Sequence, residues 1–307
     1  MNARLLFVHA LSPLHAGTGQ GVGVIDLPIA REKATNLPYL PGSSLKGTLR
    51  DTPSPHIGED LRVKMFGPDG TNVKADEYAG SVLFSDQRLL LLPVRSLVGT
   101  FAWITSPFVL RRLQRDARSA QVKNVPAAIP QPSSTENCVA ATGSVIATDN
   151  KIYLEDLDLQ ADSAPAGQQP ANQWGAWIAR QLFPATNAKS PDAAESAEWQ
   201  QILISRFCVV HDDVFSFLLD TATEITARIK LLDDTKTVQE GALWYEEALP
   251  TETVLYGLVV ATPVRRFKDV IDDAKIFNAL AALAAHPLQF GGKATVGRGL
   301  CRMQMQL

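Results

Sequence analysis

Asp26 is the residue of this sequence with the clearest potential for chemistry. It stands in the apolar run Val24–Pro28, directly after a segment rich in glycine. Glycines permit backbone conformations that other residues resist, so we expect this carboxylate to be exposed on a flexible loop. There it could hold a divalent metal ion, or orient a 2′-hydroxyl for attack on the neighbouring phosphate if RNA lay across the loop. A single loop aspartate is also a common turn residue, and both interpretations stay open.

His15 lies at the start of the same loop and could act as an acid or base near Asp26. Imidazole is the side chain that titrates nearest to neutral pH, which suits proton transfer. A lone histidine more often has a structural role, so the sequence leaves two alternatives for His15.

A second glycine-rich segment, Gly291–Gly299, contains Lys293 and Arg298. It has the length of a P-loop frame, but Arg298 and Gly299 replace the Lys-Ser/Thr pair and a strand is predicted to follow. The first glycine run lacks the third glycine of a dinucleotide fingerprint. Backbone N–H groups beside two cations suit the repeated phosphates of a polynucleotide. A plain turn before an edge strand is the alternative.

A short helix is predicted between these two loops. Gly42, Ser43 and Ser44 precede the run Leu45–Arg50, and a serine can cap the first turn of a helix. The prediction places Lys46 near the N-terminus of this helix.

The elements that must position these segments are strands and helices without strict alternation. Helices are predicted from Pro107, over 174–183, over 195–204 and over 276–283, and strands near the N-terminus, within 80–106 and at 144–154, 207–210, 215–219 and 300–306. A long hairpin is predicted over 235–262. This mixture favours the α+β class.

Composition excludes several classes of protein. The chain has 307 residues, 46% of them hydrophobic, and a formal net charge of -3. A histone-like or polybasic protein is therefore excluded, and any nucleic-acid binding must be local. Three scattered cysteines without a C-x-x-C pair argue against a disulfide framework and a finger-type zinc site. No apolar run approaches the roughly 18 residues of a membrane span, and the cytosol is the expected location.

Several motifs, in order along the chain, resemble one known family. They are His15–Gly19, Gly23–Glu32, Leu37–Gly47, Gly241–Glu247 and Gly291–Gly299. Together they resemble the backbone subunits of type III-B CRISPR effectors, the fourth subunit of the Cmr module in the RAMP superfamily. The resemblance covers both ends and about half of the chain, and no family motif falls between about 120 and 205.

The resemblance implies a single domain with a ferredoxin-like, RRM-related core and a protruding β-hairpin thumb. The core would come from 1–120 and 205–307, with surface insertions at about 121–204. The hairpin at 235–262 would be the thumb, with the segment 71–90 as a rival.

The resemblance also implies a function. Copies of such a subunit stack along a guide CRISPR RNA with other Cmr-module subunits. Each copy cuts the paired single-stranded target RNA at regular intervals, and a divalent metal, Mg²⁺ or Mn²⁺, is required. Asp26 would be the catalytic residue and metal ligand, with His15 and Glu240 as weaker candidates. RNA would be bound by Ser43, Ser44, Lys46, Arg50, Gly291, Gly292, Lys293, Gly297, Arg298 and Gly299.

Two other hypotheses compete with this one. A scaffold of the same kind would bind RNA without cutting it, with Asp26 only shaping its loop. A nucleotide-dependent enzyme would use the glycine loops for a mononucleotide.

Overall fold

A computed structural model describes residues 2–19, 21, 24–55, 57–68, 79–162, 165–184, 191–262 and 271–306. The strands are β1 (Asn2–Ala10), β2 (Tyr39–Leu40), β3 (Val82–Phe84), β4 (Gln87–Arg95), β5 (Phe101–Thr105), β6 (Asn137–Ala140), β7 (Ala147–Thr148), β8 (Lys151–Leu154), β9 (Leu157–Ala161), β10 (Phe207–Val210), β11 (Glu224–Leu231), β12 (Val238–Ala248), β13 (Val254–Ala261), β14 (Leu288–Gln289) and β15 (Leu300–Met305). The helices are α1 (Gly42–Asp51), α2 (Glu59–Phe66), α3 (Pro107–Ser119), α4 (Pro165–Leu182), α5 (Pro191–Arg206), α6 (Asp212–Thr221) and α7 (Asp273–Leu283).

One large mixed sheet organises the chain. Its main path runs β14-β15-β1-β13-β4-β5-β10-β6-β9-β8-β7, while β2 pairs with β4 and β3 pairs with β13. The β10–β5 and β6–β9 pairs are parallel, and the other pairs of this sheet are antiparallel. Pairing of β1 with both β13 and β15 places the first and last strands side by side, near one edge of the sheet. The predicted α+β class is confirmed.

Helix α3 shows how sequence period sets the packing. Ser106 caps it through a bond from the Val109 backbone N–H, and Pro107 occupies its first turn. Val109, Leu113 and Ala117 are buried, as their spacing predicts, and the arginines between them are half-buried or exposed. Full burial of a valine or leucine side chain stabilises the fold by roughly 1.5–3 kcal/mol.

The segment expected to form surface insertions, 121–204, contributes to the same core. Strand β6 joins the sheet beside β10, and Trp174 and Ile178 of α4 are fully buried. The ring of Trp177 meets Phe7 of β1 edge-on, with centroids 6.4 Å apart. This segment is therefore not confined to the surface, because its apolar residues complete the cover of the central strands.

A separate two-stranded sheet forms the protruding hairpin. Strands β11 and β12 pair from Glu224–Ala248 at the base toward Leu231–Val238 near the tip, and most of their residues are exposed or half-buried. The predicted boundaries, 235–262, were wrong. Strand β13 is almost wholly apolar and buried, so it enters the large sheet between β1 and β4 and does not pair with β12. The rival segment includes 71–78, which lie outside the described residues.

Two other sequence predictions were wrong. Residues 215–219 were predicted as a strand but belong to α6, whose first turn is capped by the His211 side chain. The expected serine cap of α1 is absent, because α1 begins at Gly42 and both serines lie within its first turn. Among the described residues, no helix is long and apolar enough to cross a membrane.

Candidate functional site

Asp26 is exposed at the base of the hairpin. Its Oδ2 accepts a hydrogen bond of 2.7 Å from the backbone N–H of Tyr245 on β12. Leu27 extends this contact, because its N–H donates to the Tyr245 carbonyl at 3.1 Å and its carbonyl accepts from the Glu247 N–H at 3.0 Å. The Asp26 segment therefore runs along the edge of β12 like a short parallel strand, which fixes the carboxylate while leaving it open to solvent.

Glu247 anchors the other end of this segment. Its carboxylate is buried and accepts hydrogen bonds from the Ile29 backbone N–H at 3.1 Å and from Arg31 at 2.6 Å. Arg31 also donates to the Leu219 carbonyl at 3.0 Å. A buried carboxylate with a charged and a backbone donor is well satisfied, so it holds the loop firmly against the hairpin.

A second buried carboxylate, Glu246, holds the opposite wall of the site. The Lys293 ammonium lies 2.8 Å from its Oε1, and the Trp244 indole N–H donates to the same oxygen at 2.8 Å. Arg228 approaches Oε2 at 3.4 Å. Burial raises the pKa of Glu246, but the bonds from Lys293 and Trp244 and the charges of Lys293 and Arg228 outweigh it and lower the pKa to about 2.

These contacts enclose an open cleft of ≈ 470 Å³ beside Asp26. Backbone and side chains from three separate parts of the chain line it, namely Gly21, Asp26, Leu27, Gly241, Leu243, Trp244 and Lys293. The cleft thus combines one exposed carboxylate, one ammonium group and one indole ring. This set can accept a proton, neutralise a phosphate and stack against a base.

The lowered pKa of Glu246 predicts acid sensitivity. The folded value, about 2, lies below the usual 4.5, so this carboxylate stabilises the fold fully above about pH 4.5 and progressively loses that effect as the pH falls toward 2. We expect the melting temperature of the wild type to fall more steeply than that of Glu246→Gln between about pH 5 and about pH 3. Equal slopes in a thermal denaturation series would contradict this.

His15 lies beneath the loops and outside the cleft lining. It is buried, and its Nδ1 lies 2.6 Å from the Glu247 carbonyl oxygen. Its own carbonyl accepts from the Gly292 N–H at 2.9 Å, and a Cβ on Gly291, where φ is +74°, would overlap that same carbonyl. His15 therefore joins the first loop to the hairpin and to the second glycine-rich loop. This arrangement supports the structural alternative for its side chain.

Arg298 has a different position from the one predicted. Its side chain is buried, and its guanidinium bonds to Glu224 at 2.9 Å and to the Thr226 hydroxyl at 3.0 Å on β11. Both partners belong to the hairpin base, so Arg298 stabilises the glycine-rich loop against the hairpin. The prediction that Arg298 contacts RNA phosphate finds no support in this geometry, because the side chain is buried and both terminal nitrogens bond to the hairpin.

The glycines of the second loop meet two different needs. Gly299 has φ +79°, and a Cβ there would overlap the Phe290 carbonyl oxygen, so only glycine closes the loop. Gly297 also has a positive φ, but a Cβ there would meet open space. The loop backbone at Gly297 is therefore open to solvent, but the N–H groups of residues 296–299 already donate to protein carbonyls and do not support the predicted phosphate contact.

Helix α1 lies next to the second glycine-rich loop. The Thr48 hydroxyl donates to the carbonyl of Gln289, the residue two positions before that loop, at 3.3 Å. The Asp86 carboxylate accepts a hydrogen bond of 2.9 Å from the Gly42 N–H. It thereby satisfies the first N–H of α1, as the expected serine cap would have satisfied another N–H of that turn. The two segments predicted to bind RNA are thus adjacent in space although they come from opposite ends of the sequence.

The polar side chains of α1 differ in their availability. Ser43 and Arg50 are exposed and Ser44 is half-buried, while Arg50 lies 3.1 Å from Asp51. Lys46 is half-buried and, among the described residues, has no acidic partner. Burial and then the nearby Arg50 charge lower the pKa of Lys46. The negative charge of a phosphate would act against both effects by favouring the protonated lysine.

Glu240 lies on the exposed part of β12, beside Gly241 of the cleft lining. The pairing of β12 carries it toward the hairpin tip, away from Asp26, which bonds at Tyr245. Among the described residues, no three His, Cys, Asp or Glu side chains are grouped so that they could hold a metal ion. Asp26 would thus be a single protein ligand, with one oxygen, Oδ1, free of hydrogen bonds within the described part of the chain.

Sequence reasoning missed the supporting residues of the site. Glu246 and Glu247 occur in the motif Gly241–Glu247, but nothing in the residue types of this motif assigns them separate roles. The available signal was a pair of acids at the end of a strand that continues into buried Ala248 and Leu249. Acidic residues that become buried require partners, and here the partners are Lys293 and Arg31.

Comparison with known proteins identifies the family of this chain. A model of the RAMP superfamily matches residues 7–302. The chain belongs to the RAMP superfamily. Within it, the chain is 36% identical to the CRISPR system Cmr endoribonuclease Cmr4 of Pyrococcus furiosus, over 100% of this chain and 96% of that protein. It is 22% identical to the CMR subunit Cmr4 of Saccharolobus solfataricus, over 97% and 94% of the two chains.

Solved structures give the same family. The crystal structure of oligomeric Cmr4 from Pyrococcus furiosus matches with a TM-score of 0.75 and 31% identity, covering 100% of this chain and 98% of that one. A type III-B Cmr-beta complex bound to cognate target RNA contains a chain that matches with a TM-score of 0.70 at 20% identity. At this identity the match shows only that the two chains share a fold. The resemblance to Cmr4-type RAMP proteins inferred from the motifs is confirmed.

Proposed function

We propose that this RAMP protein is a guide-RNA-binding backbone subunit of a type III-B CRISPR ribonucleoprotein and an endoribonuclease that cuts the paired target RNA. Full-length similarity to a protein named as a Cmr endoribonuclease supports the proposal. The observation that carries it is the exposed Asp26 carboxylate, held by Tyr245 in a cleft whose other wall bears Lys293 and Trp244.

Asp26 acts on the 2′-hydroxyl of the target strand in this proposal. The carboxylate accepts the 2′ proton while the 2′-oxygen forms a bond to phosphorus, and the bond from phosphorus to the 5′-oxygen breaks. The leaving 5′-oxygen takes a proton from water. The products are a 2′,3′-cyclic phosphate and a 5′-hydroxyl end.

The guide RNA is bound through its backbone. Ser43, Ser44 and Lys46 of α1 offer donors to successive phosphates, with Arg50 at the end of the helix. Such contacts are independent of sequence, so base pairing with the guide selects the target. The formal net charge of -3 is compatible with this local grip.

Repetition of one copy along the guide explains cutting at regular intervals. Each copy supplies one Asp26 cleft, so the spacing of cuts equals the spacing of copies. The structure of the Pyrococcus furiosus relative is described as oligomeric, which supports filament formation here. Other Cmr-module subunits are the expected neighbours, and the scattered cysteines support a cytoplasmic location.

A divalent metal, Mg²⁺ or Mn²⁺, is part of the proposal. Asp26 has one oxygen available, and Mg²⁺ commonly binds one or two carboxylates together with substrate phosphates and water. The residues therefore fit an ion that is recruited together with RNA. When bound, such an ion would neutralise charge on the phosphate.

The test is cleavage of labelled target RNA by the assembled complex with and without the metal. We expect cleavage at regular spacing in Mg²⁺ or Mn²⁺ and loss of cleavage after chelation, with the guide still bound. Guide binding without cleavage under all metal conditions would favour the scaffold hypothesis. Extraction of a mononucleotide instead of long RNA from the purified protein would favour the nucleotide-dependent enzyme.

Lys46 and Lys293 give a prediction about salt dependence. Each phosphate contact contributes about 0.7 to the slope of log affinity against log salt for single strands. We expect Lys46→Ala to weaken guide binding and to lower the magnitude of this slope by about 0.7, the value for one phosphate contact, because Lys46 has no acidic partner among the described residues. Lys293→Ala should have a smaller effect on the slope, because Glu246 already pairs with it.

The matched control for the salt experiment is Lys151→Ala. Lys151 lies on β8, near the edge of the large sheet opposite β14 and β15. Its removal lowers the charge of the protein equally but leaves α1 untouched. If all three variants changed the slope to the same extent, the lysines would act only through net charge.

A further inference from the structure

Three consecutive residues of β12 each hold a different part of the cleft. The Tyr245 N–H binds Asp26, the Glu247 carboxylate binds Arg31 and Ile29, and between them Glu246 binds Lys293. Side chains alternate in direction along a strand, so Glu246 points away from the side that Glu247 faces. One strand thus sets the relation between the two walls of the cleft.

We propose that Glu246 is a positioning residue that fixes the Lys293 ammonium across the cleft from Asp26, where Lys293 neutralises the scissile phosphate during cleavage. This inference rests on the proposed endoribonuclease function. It gives Lys293 a role at the target strand, in addition to the predicted contact with RNA backbone.

The contacts of Glu246 support a positioning role. Its side chain is 5% exposed, whereas the Lys293 side chain is 34% exposed. The carboxylate is therefore the fixed partner, and the lysine is the partner that reaches the solvent-filled cleft. Trp244, which donates to the same oxygen as Lys293, also lines the cleft. One buried carboxylate consequently orients two of the side chains that would meet RNA.

The backbone of Lys293 limits where its side chain can begin. Lys293 has φ +66°, a left-handed conformation that is uncommon for residues other than glycine. Its loop is held by the Gly292 N–H bond to His15 on one side and by Arg298 on the other. The remaining freedom lies in the long lysine side chain, and the bond to Glu246 removes most of it.

The Glu246 carboxylate does not fully neutralise the Lys293 ammonium, because a second cation lies beside it. Arg228 lies near the second oxygen of Glu246, so the buried charge is shared between two cations. An arriving phosphate then meets an ammonium group that is oriented but not fully neutralised. Correct placement of a catalytic group matters strongly, since a shift of 1 Å can lower a rate by about 10²-fold.

The test compares Glu246→Gln, Lys293→Gln and the double variant in the assembled complex. We expect Glu246→Gln to lower the single-turnover rate of target cleavage by about 10²-fold, with guide affinity within about twofold of the wild type. Lys293→Gln should lower the rate to a similar degree. In the Lys293→Gln background, the added Glu246→Gln should change the rate by less than about twofold, because Glu246 acts through Lys293.

Two further variants separate positioning from general stability. Glu246→Asp keeps the charge and should recover part of the rate lost in Glu246→Gln, even if both variants melt at the same temperature. Asp60→Asn is the matched control, since it removes an exposed carboxylate that lies 2.7 Å from Lys64 on α2, and its rate should equal that of the wild type.

The outcomes distinguish failure of this inference from failure of the proposed function. If the wild-type complex binds guide and target but does not cut, the endoribonuclease proposal fails. If the wild type cuts and Asp26→Asn does not, but Glu246→Gln cuts normally, the positioning role is overturned. Equal rate losses from Glu246→Gln in the wild-type and Lys293→Gln backgrounds would also overturn it. If Glu246→Gln fails to fold, the same comparison is made with Glu246→Asp. Its rate loss should appear in the wild-type background and be absent in the Lys293→Gln background, and equal losses in both would overturn the inference.

Discussion

Asp26→Asn should abolish target cleavage while leaving guide binding intact. The carboxylate is exposed, and its bond to protein runs from the Tyr245 N–H to Oδ2, which an asparagine oxygen can also accept. The loop therefore keeps its position along β12. Loss of the charge removes the proton acceptor and the metal ligand together, and acid–base catalysis alone typically contributes about 10² to 10⁴-fold. We expect a fall in rate of at least that size.

Single-turnover cleavage of labelled target RNA measures this effect, and titration of the guide measures assembly. The control is Asp213→Asn, whose side chain is 83% exposed near the start of α6 and lies outside the cleft lining. Full cleavage by a complex that contains Asp26→Asn would show that Asp26 is not catalytic and would favour the scaffold hypothesis, in which this subunit binds RNA without cutting it. Loss of guide binding in Asp26→Asn would instead mean that Asp26 has a structural role in assembly.

Glu247→Ala should cause the largest loss of stability among the site residues. The substitution leaves the Arg31 guanidinium without its closest carboxylate and the Ile29 N–H without an acceptor. Removal of one partner from a fully buried ion pair typically costs about 3–5 kcal/mol, and the 17% exposure of the Arg31 side chain favours the lower end of this range. We expect the free energy of unfolding to fall by about this amount and cleavage to fall with it, since the Asp26 segment loses its downstream anchor.

Urea denaturation gives the free energy of unfolding, and the same arginine provides a matched control. Asp220 lies 4.0 Å from Arg31, but its side chain is 63% exposed. Asp220→Asn should therefore change the stability by only about 0–1 kcal/mol. A result in which both variants had the same small effect would show that Arg31 is held by its backbone partners and that Glu247 does not anchor the loop.

Local features of the sequence correctly predicted the exposure of Asp26 and two of the helices. The glycines before Asp26 predicted an exposed carboxylate, which the structure places at the open cleft. The period of apolar residues predicted α3 and most of α7, which begins at Asp273, three residues before the predicted start at 276. These predictions succeed because a helix and its cap depend on contacts between residues three or four positions apart.

The predicted hairpin boundaries were wrong because strand pairing depends on contacts between residues far apart in the sequence. Strands β12 and β13 are close in sequence and both have β-forming residues, so a hairpin between them was the natural prediction. The choice of partner depends on which face must be buried. The apolar residues of β13 enter the large sheet, and the mixed polar sequence of β11 remains to pair with β12.

The sequence by itself determined the family, the α+β class, the exposed Asp26 and the two glycine-rich loops, because these follow from residue type and short-range spacing. Only the tertiary structure decided how the loops meet. Lys293 finds Glu246, Arg298 finds Glu224, and His15 is buried among three segments. Such partners are far apart in the chain, and the order of strands in the sheet, which no local pattern encodes, determines which side chains come within bonding distance.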